Sequence, residues 1–398
     1  MEFRLTQEQQ MIRETAHAFL TDVSSPADVR TAMAQQGSYT PEVWSRLCSD
    51  LYLQAITIPE AYGGLGMSYV DLAIVLEEMG RKLFCSPFLA TVGLATNALL
   101  LAASEAQKQQ WLPGIAEGRV TAALAWAGAE AARNGGDWGV NAISTICEPQ
   151  GDHYRLNGEL RYVIDGDTAD LLIVAARLPQ STGREGVTLF ALPADCAGIE
   201  RRWTPSMDQT RRQATIVLNN VTAGSDQMLG DAGEAWPALA DTLALAKISL
   251  AAEQAGVARA SLDMAVAYTM EREQFGRVIA GYQAIKHKAA DMKLKCEVAL
   301  SAVYYSACVA SEVLDPNGDQ AIAAELNEAA AMAKGYCSDT AFFNAGSALQ
   351  LFGGVGFTAE YDIQLYFKRA KASELYLGNG AAQRELIADL LLESGEPQ

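Results

Sequence analysis

The stretch Leu349-Gln350-Leu351-Phe352-Gly353-Gly354-Val355-Gly356-Phe357-Thr358 ends a long Ala-rich segment on two adjacent glycines. Paired glycines after an apolar run at helical spacing stop a helix. Upstream, Glu271-Arg272-Glu273-Gln274-Phe275-Gly276 interrupts the same kind of segment, with Gly281-Tyr282-Gln283 and Ala290-Asp291-Met292 after it. A third break falls at Asp315-Pro316-Asn317-Gly318. Between these breaks lie segments long enough for helices of twenty or more residues, and several such helices imply a bundle over residues 229–398. Ala251, Ala252, Ala255 and Gly256 suit close approach between its helices.

Working back towards the N-terminus, residues 121–228 change character. Short β-prone runs (Tyr154-Arg155-Leu156, Leu171 to Ala175, Val187 to Ala191, Thr215 to Leu218) alternate with turn signals at Gly151-Asp152, Asn157-Gly158 and Asp165-Gly166. That pattern predicts an antiparallel β domain. Residues 1–120 predict helices, including Val70 to Gly80 and Leu94 to Ala103, punctuated by Pro59, Gly63-Gly64 and Pro87. The fold class expected is therefore α+β multidomain: an N-terminal helical domain, a middle antiparallel β domain and a C-terminal helical bundle.

The chain has 398 residues, half of them apolar and a fifth charged, which is ordinary for a soluble globular protein of more than one domain. Forty-eight acidic against thirty basic residues leave a formal charge of −18. Nucleic acid and anionic membrane need clustered Lys and Arg, so neither is expected as a partner. Seven scattered Cys without a CxxC pair, and three distant His, argue against a disulfide framework or a metal centre and for a reducing compartment. The N-terminus carries charges throughout, and no uninterrupted apolar run of membrane-spanning length stands out. A cytoplasmic location is expected.

The 271–292 blocks and the 349–358 block resemble the signatures of the acyl-CoA dehydrogenase family. Pro59-Glu60-Ala61-Tyr62-Gly63-Gly64-Leu65-Gly66, Glu78-Met79-Gly80-Arg81 and Trp111-Leu112-Pro113 agree in order and spacing. The resemblance implies that family's fold, in which the C-terminal bundle is a four-helix bundle, a dimer of dimers, and FAD as cofactor. It also implies cross-subunit cofactor contacts from Arg272, Gln274, Phe275, Gln283, Gln350, Gly353 and Gly354. The chemistry suits those types: a guanidinium matches pyrophosphate oxygens with a planar fork of donors. Side-chain-free glycines let backbone N–H groups come close.

The departures are as specific. In the family a Tyr-Glu-Gly-Thr tetrad supplies the Glu that removes the α-proton of an acyl thioester. The matching stretch is Tyr376-Leu377-Gly378-Asn379, and Leu377 cannot accept a proton. The alternative family position of the base falls at Ala246 or Lys247, so no catalytic acid is expected at either place. Asp241, Glu253 and Glu374 are the acids left to weigh as replacements. The loop that by resemblance holds the flavin ring reads Leu124-Ala125-Trp126-Ala127-Gly128-Ala129-Glu130-Ala131-Ala132-Arg133, without the usual hydroxyls. In the second ring segment, Arg161-Tyr162-Val163-Ile164-Asp165-Gly166, Asp165 takes the place of a Thr.

An intact dinucleotide edge with no base or ring loop implies one subunit of a heteromeric acyl-CoA dehydrogenase. A second, dehydrogenase-like subunit then carries the Glu. By analogy with unequal-subunit members, the expected substrate is a bulky, steroid-derived acyl-CoA, and the expected acceptor is an electron-transfer flavoprotein. Two other readings stay open: a complete flavin oxidase or monooxygenase, and a non-catalytic assembly protein.

Overall fold

A computed structural model of the chain describes residues 5–35, 37–129, 131 and 138–393. Two compact units emerge, one drawn from Met1–Thr31, Tyr69–Phe84 and Lys247–Gln398, the other from Ala32–Ser68 and Cys85–Ala246.

In the first unit, α1 (Gln7–Val23) starts at a capping box in which Thr6 and Gln9 satisfy each other's backbone N–H groups. Helix α4 (Tyr69–Arg81) is buried along nearly its whole length, Glu77 and Glu78 included. Those carboxylates are held by ionic partners: Arg13 Nη2 lies 3.0 Å from Glu77, and His17 Nδ1 lies 2.9 Å from Glu78. Burial still pushes the Glu77 carboxyl up, against the pull of Arg13. The long helices of this unit are α7 (Trp236–Glu271, from Lys247 on), α8 (Gln283–Leu314) and α9 (Leu326–Phe352). The final stretch is two helices, α10 (Ile363–Leu375) and α11 (Gly380–Glu393), both packed on α9.

Glycine decides one crossing. A Cβ on Gly80 would stand 2.0 Å from the Glu253 carbonyl oxygen, and one on Gly256 2.0 Å from that of Glu77. Helices α4 and α7 touch backbone to backbone there, which no side chain permits. Helix α8 is long and apolar enough to cross a membrane by length and composition alone, although charged residues interrupt its apolar run. Its buried face, from Met292 through Ala310, is nevertheless packed against protein.

The second unit carries α2 (Pro26–Ala34, in its last residues), α3 (Pro41–Arg46), α5 (Thr96–Ala102) and α6 (Glu105–Ala116), followed by the sheet. The sheet strands are β1 (Ala122–Ala125), β2 (Ile146–Gln150), β3 (His153–Ile164), β4 (Leu171–Arg177), β5 (Val187–Pro193), β6 (Ile199–Trp203), β7 (Gln213–Gly224) and β8 (Met228–Leu229). Their order is β6-β7-β3-β2-β4-β5-β8, with β1 on β4. The expectation of an antiparallel domain needs correcting, because the sheet is mixed. β1 pairs with β4 in parallel, Ala122 opposite Leu171 through Ala125 opposite Val174, and β2 meets β4 in parallel at Ile146–Arg177. β1 follows a helix, not a hairpin turn, so parallel pairing is open to it. β4 is buried at every residue, and its apolar run reflects cover on both faces. Asn157-Gly158 is likewise not a turn. It lies inside β3 at a register shift against β7, where a Cβ on Gly158 would stand 2.8 Å from the Thr145 Cα.

Candidate functional site

The tetrad Tyr376-Leu377-Gly378-Asn379 is the turn between α10 and α11. Leu377 has φ 61° and Gly378 φ 89°, two left-handed residues in a row. For Leu this costs about 1–2 kcal/mol, so the surroundings must hold the turn in place, and they do. Gln383 Nε2 donates to the Leu377 carbonyl at 2.8 Å. Lys334 Nζ donates to the Gly378 carbonyl at 2.8 Å, the Glu374 carbonyl at 3.2 Å and Ser338 Oγ at 2.7 Å. Asn379 Oδ1 accepts from the Ala382 N–H at 3.0 Å and caps α11. Tyr376 and Leu377 are both buried. The position thus keeps a specialised backbone and presents a hydrocarbon side chain.

Of the acids weighed as replacements, two are engaged by cations and the third lies more than one helical turn from Ala246. Glu253 forms a buried ion pair with Arg369, both side chains almost fully enclosed. Glu374 is engaged by Lys371 Nζ at 2.7 Å. Asp241 is half-buried and its carboxyl is pushed up by burial, but it lies five residues before Ala246, roughly 7.5 Å along the helix. Ala246 is fully buried.

Sequence reasoning missed Lys334, whose spacing in α9 is that of an ordinary core position. It is fully buried, and burial, then the charge of Lys247, lowers its pKa to about 7. Lys247 itself is lowered to about 8 by burial. Two buried or half-buried amines of lowered proton affinity, Lys334 and Lys247, therefore lie near each other in the bundle.

In the second unit, the loop after β1 opens with Trp126, whose indole is 2% exposed. Its Nε1 donates to the Trp138 carbonyl at 3.1 Å. Trp138 lies 5.8 Å from Trp126 and 5.6 Å from Tyr162, ring centroid to ring centroid. Aromatic carbon of the chain itself packs the described part of the segment that by resemblance holds the flavin ring and here lacks the usual hydroxyls. Glu130, Ala132 and Arg133 lie outside the described residues. Asp165, φ 53°, closes the turn after β3: its N–H donates to the Arg212 carbonyl at 3.1 Å and its carbonyl accepts from Ala169 N–H at 2.9 Å.

The residues expected to touch the dinucleotide gather at one end of the bundle. Tyr268, one turn before Arg272 on α7, stacks on Phe352 at 4.1 Å, and Phe352 directly precedes Gly353. Arg272 N–H donates to the Tyr268 carbonyl at 2.9 Å. A hairpin follows, β9 (Glu273–Gln274) and β10 (Arg277–Val278), turned by Phe275 (φ 54°) and Gly276 (φ 79°). Two left-handed residues make this a type I′ turn, for which Phe is an ill-suited first residue. Phe275 is 93% exposed. Arg272, Gln274, Gln283, Gln350 and Gly354 are also exposed, and Gly353 half-exposed. The Arg272 guanidinium has no ionic partner among the described residues. Gly353 needs its left-handed φ of 67°. A Cβ on Gly354 would meet nothing within 4 Å, so nothing in this chain's own packing requires a glycine there.

That surface fits the phosphate and adenosine end of a dinucleotide, while the ring segment does not fit a flavin ring in the same way. The acyl-CoA dehydrogenase C-terminal domain profile matches residues 233–392, and the N-terminal domain profile residues 6–119. The chain belongs to the acyl-CoA dehydrogenase family. It is 34% identical to the acyl-CoA dehydrogenase IpdE2 of Mycolicibacterium smegmatis over 97% of this chain and 100% of that one. Butyryl-CoA dehydrogenase from Megasphaera elsdenii superposes with TM-score 0.88 at 29% identity, covering 98% of this chain and 100% of that one. A variant of the Tcur3481–Tcur3483 steroid ACAD superposes with TM-score 0.83 at 26% identity, covering 98% of each chain. Family membership supports oxidoreductase activity on an acyl-CoA and the helical, β-sheet, helical order of the fold.

Proposed function

We propose that the chain is one subunit of a heteromeric, FAD-dependent acyl-CoA dehydrogenase acting on a bulky, steroid-derived acyl-CoA in the cytoplasm. Bound FAD supplies the hydride acceptor for the Cα–Cβ bond. This subunit supplies Arg272, Gln274, Phe275, Gln283, Gln350, Gly353 and Gly354 to the phosphate and adenosine end of a cofactor whose ring sits in the partner subunit. The partner carries the Glu that takes the α-proton, and an electron-transfer flavoprotein removes the electrons.

The observation that carries this reading is the coexistence of Leu377 in a buried, clamped turn with a largely exposed candidate dinucleotide edge. A positioned base contributes typically ~10²–10⁴ in rate, so a complete enzyme of this kind does not discard it. An aromatic that is 93% exposed on a strained turn is poorly suited to solvent and well suited to an interface. The likeness to a steroid ACAD named for two components supports the heteromeric and steroid parts of the reading, and the likeness to IpdE2 supports the acyl-CoA dehydrogenase part.

Flavin stoichiometry tests it. The chain purified alone is expected to be colourless, and the co-expressed pair to hold about one FAD per two unlike chains. A yellow homotetramer with one flavin per chain would refute the proposal and favour a complete flavin oxidase.

A further inference from the structure

The two segments that by resemblance would hold a flavin ring are tied together by the chain's own aromatic side chains. Trp126 stands in the first segment and Tyr162 in the second, and Trp138, at the far end of the loop after β1, touches both. The Trp138 ring is tilted by 50° to that of Trp126 and by 65° to that of Tyr162, with both centroid distances under 6 Å. Those are the inclined and edge-on arrangements that aromatic pairs favour. The indole N–H of Trp126 also donates to the Trp138 carbonyl at 3.1 Å, which pins the loop end over the strand. The sheet's apolar core around Leu156, Leu172, Phe190 and Ile216 does not include these three rings.

The backbone is closed at the same place. Arg161 N–H donates to the Ala127 carbonyl at 2.8 Å, Gly128 bridges Leu160 in antiparallel fashion, and Gly128 N–H donates to the Ala142 carbonyl at 2.7 Å. A Cβ on Gly128 would stand 1.9 Å from Ser144 Oγ, so a further piece of the chain presses on the first segment. Three N–H donors, on the Trp126 indole, Gly128 and Arg161, are thus spent within the chain. A flavin ring brings carbonyl oxygens that need such donors once they leave water. Tyr162 is aimed by its backbone. Its φ is 58°, at the register shift of β3 against β7 between Leu160 and Val163. A bulge redirects a side chain, and a bulky residue at positive φ persists only where its surroundings hold it. Here the redirected ring meets Trp138.

We infer that Trp126, Trp138 and Tyr162 form an aromatic plug in the place of a flavin ring, so that this chain excludes the ring by side-chain bulk and not only by lacking hydroxyls. The plug stands on this chain's own contacts and on the resemblance of the two segments. Only its meaning for the complex, that the ring is turned away here and received by the partner subunit, rests on the function proposed above.

Lumiflavin, which carries the ring without phosphate or adenosine, tests the plug apart from the dinucleotide edge. The full chain purified alone is titrated into it, and quenching of flavin fluorescence reads binding. The wild type is expected to leave lumiflavin unquenched, and Trp138→Ala to bind it at least about ten-fold tighter. Trp138 is half-buried, so its truncation invites less folding loss than that of the buried Trp126, and a cooperative urea transition confirms the fold. Tyr162→Asn opens the other side with a residue type that tolerates the left-handed backbone, and is expected to gain binding in the same direction. Tight lumiflavin binding by the wild type would overturn the inference. Equally weak binding by the wild type and by both folded variants would overturn it too, leaving the missing hydroxyls as the cause of exclusion. Flavin in the co-expressed pair is counted separately. Lumiflavin bound by the wild-type chain, beside a pair holding about one FAD per two unlike chains, would refute the plug and keep the heteromer reading. A plugged chain, opened by its variants, that yields no flavin in any co-expressed pair would keep the plug and refute that reading.

Discussion

Phe275→Ala separates what this chain needs for itself from what it offers to another. The side chain is 93% exposed, so folding buries only a small share of it. For a Phe of roughly 200 Å² that share is about 14 Å², and at ~25 cal/mol per Å² it contributes about 0.35 kcal/mol. Ala at φ 54° suffers the same left-handed strain as Phe, so the backbone term cancels. The chain alone should therefore lose less than about 0.5 kcal/mol, read as a shift of the urea midpoint at constant slope. In a complex where Phe275 is covered, full burial is worth about 2–3 kcal/mol. Truncation should then weaken flavin retention or subunit association about 30- to 150-fold. The assay is flavin absorbance of the co-expressed pair through a dilution series, beside denaturation of the single chain. Unchanged flavin retention would refute the cross-subunit role of the hairpin. A loss above 1 kcal/mol in the isolated chain would show that Phe275 serves its own fold.

Arg272→Ala should strip flavin from the complex and leave the single chain's unfolding midpoint unchanged, since its guanidinium pairs with no described residue; spectrophotometry after desalting reads the first and denaturation the second. Glu253→Ala removes the carboxylate paired with the buried Arg369 and should cost about 3–5 kcal/mol. Replacing both partners by Met should recover most of that loss by the same denaturation assay. Lys334 is lowered from 10.5 to about 7 in the folded chain. Between those values the unfolded chain holds the proton and the folded chain does not, so stability rises with pH, by at most about 1.4 kcal/mol per unit. Stability measured from pH 7 to 10 should climb more steeply in the wild type than in Lys334→Met, and parallel curves would refute the burial argument.

Much of this was legible in the residues because the long α-helical segments end on chemically distinctive breaks. The helix Tyr69–Arg81 and the stops at Phe352 and Leu314 follow directly from apolar spacing, Gly353-Gly354 and Asp315-Pro316. The mixed sheet was not legible. Ala122–Ala125 has neither alternation nor branched residues, and only its place after a helix makes parallel pairing natural. Asn157-Gly158 has turn chemistry but sits mid-strand, where close approach of Thr145 demands a glycine. At the candidate site, the hydrocarbon side chain at Leu377 could be read from one letter. The amines at Lys247 and Lys334 could not, since a Lys in a helix is ordinarily a solvated surface charge and only packing reveals that Lys334 is enclosed.

The turn at Leu377 separates backbone from chemistry. If its left-handed conformation existed only to aim a catalytic carboxylate, loss of the acid would leave about 1–2 kcal/mol of strain without purpose. The clamp by Lys334 and Gln383 on the Leu377 and Gly378 carbonyls does not involve the side chain at 377 at all. The scaffold therefore imposes the conformation whatever residue stands there, and under the proposed function, in which a partner subunit takes the proton, the side chain is free to change. The consequence is testable. Leu377→Gly should relieve the strain yet lose a fully buried Leu, worth about 2–5 kcal/mol with its cavity, so the variant should be less stable by urea denaturation. A more stable Leu377→Gly would mean that the strain exceeds the packing, and that the turn is held for a function of this chain's own.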